Sequence, residues 1–250
     1  MVFIFFLSPT ISSSENKTVD PRQQPDAPFA VVELFTSEGC SSSPPADQFL
    51  MDLTKLAEDQ QKRIFTLSFH VDYWNDLGWE DPFSQEQFSQ RQRKYAQKLG
   101  STTVYTPQMI VNGTHAFGGY HRELAKEHID EALQTPPSTS VKLEVIKHDD
   151  QFIELQYELS DITENLILHT ALTERGIVSD VPNGENAGRT LRHDNVVRIF
   201  DSMSLTEKKG TIKIAKPSAV HGQQSSIIVY IQNRQDMKIV GANFIDLDQI

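Results

Sequence analysis

The sequence predicts an α/β domain over residues 29–136, followed by a mostly antiparallel, sandwich-like β domain over residues 137–250. Two observations carry this prediction. In the first half, continuous apolar runs alternate with segments of helical period, whereas from residue 138 on the apolar residues recur at every second position. With 250 residues, 38% of them hydrophobic, the chain can bury the core of one large or two modest domains. One continuous domain with an extended sheet is the alternative.

The first half predicts the order strand, helix, strand, helix, strand, strand, helix. The apolar runs AVVELF (30–35) and IFTLSFHV (64–71) are typical of buried strands. Pro44 and Pro45 mark the start of the first helix, where proline is tolerated, and Gly100 caps the end of the second. This order favours two parallel strands joined by a right-handed crossover.

The end of the first half predicts an antiparallel hairpin and a last helix. In QMIVNGTHAFGG (108–119), Asn112 and Gly113 supply the positive φ angles of a two-residue turn. The hairpin should join the parallel pair in one sheet. The helix after it is stopped by Pro136, and its predicted inward-facing residues are Leu124, Ile129, Ala132 and Leu133.

The second half has the alternation of half-buried strands. FIELQYELS (152–160) places apolar residues on one face and polar residues on the other. Similar short runs recur at residues 141–145, 166–172, 212–214 and 227–231. These runs predict a mostly antiparallel β domain.

Residues 1–28 predict a signal-like segment and a disordered linker. MVFIFFLSPTISSS (1–14) resembles the end of a secretory signal without its basic n-region, and its apolar run is too short to span a bilayer. Residues 8–28 have almost nothing to bury, which favours a disordered tether. We therefore expect an exported protein, periplasmic or extracellular, without stable membrane insertion. A mis-assigned start codon or an ordinary frayed N-terminus would also explain the apolar run.

Charge and cysteine content exclude several classes of protein. The formal charge of −11 and the pI near 5.1 oppose a nucleic-acid partner, because phosphate backbones are bound by basic faces. The single cysteine excludes an internal disulfide, a CxxC zinc site and an iron–sulfur cluster of the chain's own. The sequence contains no P-loop, dinucleotide fingerprint or nucleophile elbow, and we predict no cofactor.

Cys40 is the candidate reactive residue. It lies in TSEGCSSSPPAD (36–47), just ahead of the predicted first helix, and Ser43 follows three positions later. A thiol at a helix N-terminus meets unpaired N–H groups and the positive end of the helix dipole, which favour the thiolate. The Ser43 hydroxyl, one turn along, would donate a hydrogen bond to the sulfur. A small buried thiol without chemical function is the alternative.

Four motifs stand out along the chain: VVELFTSEGCSSSPPAD (31–47), SFHVDYWNDLGW (68–79), VYTPQMIVNG (104–113) and GENAGRTLRHDNVVR (184–198). Together they resemble a family of exported bacterial thioredoxin-like proteins, domain of unknown function 1223. The resemblance implies a thioredoxin fold for the first half, in which Pro107 follows a cis peptide bond with Thr106 and faces the cysteine. Family members usually carry a second cysteine where this chain has Ser43, so the motif here is CxxS.

The chemistry open to a single sulfur is limited by stoichiometry. A lone thiolate can form a mixed disulfide or reduce a peroxide, but either product needs an outside thiol for turnover. The two-cysteine reduction cycle is therefore excluded. The leading hypothesis is monothiol exchange with an extracytoplasmic protein disulfide or a low-molecular-weight thiol. The first alternative is a catalytically inactive module that pairs with an extended peptide at the cis-proline edge, and the second, ranked below it, is a metal site formed by Cys40 and His70.

Glu33 is a candidate proton carrier for the thiol. It interrupts an apolar strand, close to where thioredoxins carry a buried acid. A buried carboxylate suits general acid–base work through a water. Alternatively, Glu33 reaches solvent or a basic partner.

Four residues are predicted to bind substrate. His70 and Asp72 follow the second strand and should lie at the same sheet edge as the cysteine. Thr106 precedes the proline, and Trp74 belongs to an aromatic loop. We expect this loop to pack over the fold or to form one wall of a peptide groove.

The polar segment GENAGRTLRHDN (184–195) predicts a loop that either binds a ligand or is a solvated connection. If it folds back over the cysteine, Arg189 or His193 adds positive potential there. No metal site is predicted from the remaining histidines, whose positions suggest no ligand spacing: His115, His121, His128, His169 and His221.

Overall fold

The computed structural model describes residues 20–216 and 224–250, so the signal-like run lies outside the described residues. The expected disorder up to residue 28 is wrong for residues 20–28. Pro21–Gln23 forms a 3-10 helix capped by Asp20. The guanidinium of Arg63 donates hydrogen bonds to the carbonyl oxygens of Arg22 and Ala27. A distant buried cation thus orders a segment that has few apolar residues of its own.

The first half contains the predicted alternation of strands and helices. Its elements are β1 (Ala30–Thr36), α1 (Pro44–Asp59), β2 (Ile64–His70), α2 (Glu86–Lys98), β3 (Gln108–Val111), β4 (His115–Gly118) and α3 (Arg122–Ala132). β1 is parallel to β2 and antiparallel to β3, which pairs with β4. Asn112 and Gly113, with φ angles of 45° and 76°, form the turn between β3 and β4. The predicted parallel pair and antiparallel hairpin are therefore confirmed.

The second half is built almost entirely from strands. They are β5 (Val141–His148), β6 (Phe152–Leu159), β7 (Leu166–Glu174), β8 (Ile177–Val181), β9 (Arg189–His193), β10 (Val196–Ser204), β11 (Lys209–Ala215), β12 (Ser225–Asn233) and β13 (Ile239–Asp246). The five predicted runs correspond to β5, β6, β7, β11 and β12. The sequence analysis missed β8, β10 and β13, and it predicted a loop where β9 lies.

One mixed eight-stranded sheet runs through both halves, in the order β13-β12-β7-β10-β2-β1-β3-β4. β10 joins it beside β2, where Val196 pairs with Ser68 in parallel and the N–H of Ser68 donates to the carbonyl oxygen of Asn195 at 2.9 Å. The sheet is thus continuous, as in the alternative of an extended sheet. That residues 29–136 and 137–250 are separate folding units stays a prediction.

Helices cover both faces of the first half of this sheet. α1 and α3 pack Leu50 and Ile129 with Leu34 of β1 in one apolar cluster. α2 packs Phe88 and Tyr95 in a second cluster, on the opposite face. Among the described residues, no helix combines the length and the apolar composition needed to cross a membrane.

The buried face of α3 differs from the prediction at one residue. Leu124 is exposed, whereas Ala125 is buried together with Ile129 and Ala132. These three residues follow the i, i+4, i+7 spacing of one helical face. Leu124 lies on a different face of the helix, and its side chain is therefore exposed although it is apolar.

A second sheet packs on the eight-stranded sheet and gives the second half a layered, sandwich-like arrangement. Its strand order is β11-β6-β5. Ile153 and Leu155 of β6 share one apolar cluster with Leu168 of β7 and Val229 of β12. β8 and β9 pair with each other in a separate two-stranded sheet.

Candidate functional site

Cys40 lies in the loop between β1 and α1, four residues before the helix begins. Its carbonyl oxygen accepts a hydrogen bond from the N–H of Ser43 at 3.1 Å, so residues 40–43 form a turn. The Sγ atom lies 3.2 Å from Ser42 Oγ and 3.7 Å from the carbonyl oxygen of Thr106. The Thr106–Pro107 peptide bond is cis, as predicted. The thiol faces the segment before β3, and Cys40 is only 2% exposed.

The first turn of α1 differs from the expected cluster of unpaired N–H groups. Pro44 and Pro45 have no N–H to offer. The N–H groups of Ala46 and Asp47 both donate to the carbonyl oxygen of Ser43, at 2.8 and 3.1 Å. These four positions therefore present no free N–H to the thiol.

The hydroxyl group that contacts the Cys40 sulfur belongs to Ser42 and not to Ser43. The prediction that the Ser43 hydroxyl donates to Cys40 is wrong, because that hydroxyl is buried and has no hydrogen-bond partner among the described residues. The chain turns at residues 40–43 before the helix starts, and this turn places Ser42 Oγ beside the thiol and 3.5 Å from the carbonyl oxygen of Thr106.

The aromatic loop after β2 packs on the segments that carry Cys40 and Thr106. Trp74 Nε1 donates to Thr106 Oγ1 at 2.8 Å. The hydroxyl of Tyr73 donates to Gln92 Oε1 at 3.2 Å. Burial raises the pKa of Tyr73 to about 12, with a further contribution from a negative charge on Cys40. A neutral phenol therefore lies near the thiol at neutral pH.

His70 is fully buried at the end of β2 and pairs with an acid. Its Nδ1 lies 2.7 Å from Asp81 Oδ2, and the same oxygen accepts the N–H of Glu38 at 2.8 Å. The Nε2 atom has no hydrogen-bond partner among the described residues. No hydrogen bond or ion pair within residues 20–216 and 224–250 joins His70 to Cys40, so the structure gives the hypothesis of a Cys40–His70 metal site no supporting contact.

His193 of β9 completes a buried group of titratable side chains. Its ring lies 4.9 Å from the His70 ring, measured between centroids. Its Nε2 lies 3.2 Å from Glu38 Oε1, and its Nδ1 lies 3.9 Å from Asp47 Oδ2. We call this group the buried histidine–carboxylate cluster; its members are His70, His193, Glu38, Asp47 and Asp81.

Burial and charge act in opposite directions on the pKa values of this cluster. Burial alone would lower the pKa of His70, but Asp81, Asp47 and Glu38 together raise it. Burial raises the pKa of Asp47. At Asp81 and Glu38 burial is outweighed by the adjacent imidazoles, His70 and His193, and both carboxyl pKa values are lowered. The cluster therefore favours a charged His70 beside ionised Asp81 and Glu38.

The segment between β8 and β9 folds back over the cysteine loop, which was the condition set for Arg189 or His193 to add positive potential there. Asn186 Nδ2 donates to the carbonyl oxygen of Cys40 at 3.0 Å. Glu185 Oε2 accepts a hydrogen bond from the N–H of Ser41 at 3.0 Å. Arg189 donates to Asn186 Oδ1 at 2.6 Å. These contacts hold the backbone on which the thiol is mounted.

Glu33 is fully buried and binds a basic partner. This matches the alternative interpretation and not the role of proton carrier. Arg91 Nε donates to Glu33 Oε1 at 2.8 Å, and the hydroxyls of Tyr95 and Tyr230 also donate to the carboxylate. Arg91 belongs to α2, on the face of the sheet opposite α1. The carboxylate is thus committed to an ion pair away from the helix that follows Cys40.

Asp72 is tied to α2. Its N–H donates to Ser89 Oγ at 3.1 Å, and the Ser89 hydroxyl donates back to Asp72 Oδ1. Of the four predicted substrate-binding residues, the structure brings Thr106 and Trp74 together beside the cysteine. It places His70 in the buried cluster and Asp72 against α2.

A cleft of about 360 Å³ lies between the start of α1 and β9. Arg189 and Arg192 line one side, and Pro44, Pro45, Asp47 and Gln48 line the other. Two guanidinium groups against one carboxyl group, whose pKa is raised by burial, suit this cleft to an anionic ligand.

Sequence reasoning missed most of the buried cluster. Glu38 and Asp47 lie inside the cysteine motif, and Asp81 follows the aromatic loop, so acids flanking the motifs were the available signal. Asn186 lies in the motif at residues 184–198, but its partner could not be identified, because it is 146 positions away. Sequence reasoning also gave no signal for a grouping that involves two of the remaining histidines. His115, His128 and Glu131 bring three ligand atoms within 4.8 Å of one another.

One of the comparisons with known proteins identifies a family. The sequence matches the family described as "Protein of unknown function (DUF1223)" over residues 31–232. None of the curated proteins compared with it matches. The chain is similar to the crystal structure of an Agrobacterium tumefaciens protein from a structural genomics consortium, with a TM-score of 0.66 and 27% sequence identity. That similarity covers 88% of this chain and 95% of the other.

Proposed function

The chain belongs to the DUF1223 family of proteins of unknown function, and we propose that it is a thioredoxin-like protein that performs monothiol exchange through Cys40 outside the cytoplasm. One observation carries the proposal: the Cys40 thiol lies 3.7 Å from the carbonyl oxygen of Thr106, on a loop that the segment between β8 and β9 holds in place. The placement of a single sulfur by so many contacts favours a role for that sulfur.

The arrangement of the first half supports the thioredoxin-like assignment. Its strand order is β2-β1-β3-β4, with the first pair parallel and the others antiparallel. α1 and α3 lie on one face and α2 on the other. Export is the part of the proposal that depends on residues 1–14, whose apolar run resembles the end of a secretory signal.

The proposed reaction is a pair of thiol–disulfide exchanges. The Cys40 thiolate attacks one sulfur of a partner disulfide, the S–S bond breaks, and the departing sulfur leaves as a thiolate that takes up a proton. A thiolate from a second, low-molecular-weight thiol then attacks the mixed disulfide and releases Cys40. No net oxidant is needed, since one disulfide is exchanged for another.

Access to the sulfur requires movement of the turn that covers it. Cys40 is 2% exposed, whereas Ser41 and Ser42 beside it are exposed. Opening must break the contact between Ser42 Oγ and the sulfur at 3.2 Å and the longer one between Ser42 Oγ and the Thr106 carbonyl oxygen at 3.5 Å. An intramolecular hydrogen bond of this kind contributes only about 0.5–1.5 kcal/mol net. We therefore assign the turn at residues 40–43 as the gate to the thiol.

The cleft beside α1 favours an anionic thiol such as glutathione as the small partner. Glutathione carries two carboxylates, and Arg189 and Arg192 line the cleft. Arg192 is exposed, so its charge can be removed without opening the core.

Exposure of the folded, full-length chain to oxidised glutathione tests the proposal. We expect a mixed disulfide on Cys40 by intact-mass spectrometry, which reduced glutathione then removes. Arg192→Gln should slow its formation about two- to fivefold, because an exposed charge contributes up to about 1 kcal/mol. Lys94→Gln, an exposed charge on α2, is the matched control and should leave the rate unchanged. A folded chain that forms no mixed disulfide would refute the thiol-exchange proposal.

A second candidate function, a catalytically inactive peptide-binding module, is favoured by the burial of Cys40. It predicts that Cys40→Ser keeps all binding to extended peptides and that native Cys40 stays unmodified. The glutathione experiment separates the two functions, since the module requires no reaction at sulfur.

A further inference from the structure

A group of metal-ligand side chains lies apart from the cysteine, where β4 meets α3. His115 begins β4, and His128 and Glu131 lie near the end of α3. Each contributes one ligand atom, and these atoms all lie within 4.8 Å of one another. The His115 and His128 rings stack with centroids 3.9 Å apart. The hairpin turn at Asn112 and Gly113 brings His115 to the helix, across 13 residues of sequence from His128.

One nitrogen of this group is buried without a hydrogen bond. His128 Nδ1 is shielded from solvent and has no hydrogen-bond partner among the described residues. Its nearest acid, Glu131 Oε2, lies 3.6 Å away, beyond hydrogen-bond distance. A buried polar atom of this kind usually has a partner in native proteins, either protein, water or ion.

We propose that His115, His128 and Glu131 form a binding site for a divalent transition-metal ion of the Zn²⁺ type. Two imidazoles and one carboxylate are the ligand set of many zinc sites with an open fourth position. At Zn–ligand distances of about 2.0–2.2 Å, tetrahedral ligand atoms lie roughly 3.3–3.6 Å apart. The 3.6 Å separation of His128 Nδ1 and Glu131 Oε2 already meets this requirement.

Closing the site around an ion requires the imidazole rings to reorient, because they stack within 18° of parallel and their in-plane lone pairs do not converge. The exposed Glu131 can change rotamer freely, and the two stacked rings must tilt so that both lone pairs point at one position. Phe117 packs against the His128 ring at 5.8 Å and provides an apolar wall behind it. A bound ion would link the edge strand of the eight-stranded sheet to α3, which stabilises the folded chain through ligand linkage.

Zinc titration of the full chain, expressed without a histidine tag and stripped with a chelator, tests the inference. With a chromophoric competitor near neutral pH, we expect one Zn²⁺ bound per chain. His128→Asn and Glu131→Gln should each weaken binding at least about tenfold, the loss that even an outer-shell change can cause. Zn²⁺ should raise the Tm of the wild type more than that of His128→Asn.

Matched variants separate this site from the rest of the molecule. His121→Asn and Glu127→Gln change exposed residues at the start of α3 and one turn before Glu131, and both should bind Zn²⁺ like the wild type. Cys40→Ser should also bind normally, which distinguishes this site from any thiol site. Absence of saturable binding, or binding that survives both His128→Asn and Glu131→Gln in folded protein, would overturn the inference.

Discussion

The buried His70 imidazole makes the stability of the protein depend on pH. The carboxylates around it raise its pKa above the ordinary value of 6.5. A group whose pKa is higher in the folded state contributes fully below its unfolded pKa, and the contribution is lost as the pH rises through the folded pKa. The stabilisation from His70 should therefore be complete below about pH 6.5 and decline at more alkaline pH.

His70→Gln tests this dependence. Removing one partner of a buried ion pair costs about 3–5 kcal/mol, so the variant should be strongly destabilised at about pH 6. The difference in unfolding free energy from the wild type should shrink as the pH rises toward about 9, measured by urea unfolding. His148→Gln, which changes an exposed histidine, should show no such trend. A difference that is constant with pH would show that His70 is uncharged in the fold.

The residues predicted around Cys40 show what sequence can and cannot provide. The cysteine, Thr106 and Pro107 were identified because a local motif and a resemblance to known proteins mark them. Ser43 was misjudged, because its direction depends on the turn at residues 40–43 and not on its spacing alone. The partner of Glu33 lies on another element, 58 positions away, and no local pattern points to it.

At the level of elements, the β3–β4 turn depends on Gly113. This residue has a φ of +76°, and a Cβ added there would lie 1.9 Å from the backbone oxygen of Met237. Gly100 has a similar φ of +73°, but a Cβ there would meet nothing within 4 Å. The two glycines share the same backbone strain and differ only in their surroundings.

Alanine at these two positions should therefore have unequal effects. Gly100→Ala should cost about 1–2 kcal/mol, the price of a left-handed conformation for a residue with a Cβ. Gly113→Ala should cost clearly more, because it also displaces Met237 and the hydrogen bond that Gln232 donates to its carbonyl oxygen at 2.6 Å. Urea unfolding of both variants makes the comparison, and equal losses would contradict the assigned contact.

Elements with strong local signals were predicted well. The helix boundaries at Pro44 and Gly100 and the turn at Asn112 and Gly113 follow from the backbone preferences of single residues. β9 was predicted as a loop because its exposed face is polar, and it becomes a strand by pairing with β8. Such pairing between two strands is not encoded in either one alone.

At the scale of the whole molecule, the continuous sheet predicts cooperative unfolding. The Glu33–Arg91 ion pair accepts a hydrogen bond from Tyr230 of β12, and Arg91 donates to Gln232 of the same strand at 3.2 Å. β10 pairs directly with β2. These buried contacts join the two halves, so neither should unfold alone.

Two probes of urea unfolding test this cooperativity. The only tryptophans, Trp74 and Trp79, lie in the first half, so their fluorescence reports on that half. Far-UV circular dichroism reports on both halves together. We expect coincident transitions with one midpoint. Separate midpoints would show that residues 29–136 and 137–250 are independent folding units, as the sequence analysis first predicted.

The rate at which Cys40 is alkylated in the folded chain tests the central claim most directly. If the turn at residues 40–43 opens by itself, iodoacetamide should modify native Cys40 at a rate that low, non-denaturing urea leaves unchanged. Quantification by mass spectrometry gives this rate for native and unfolded protein side by side. Modification only in step with global unfolding would mean that the fold seals the sulfur, and the proposed thiol exchange would then be wrong.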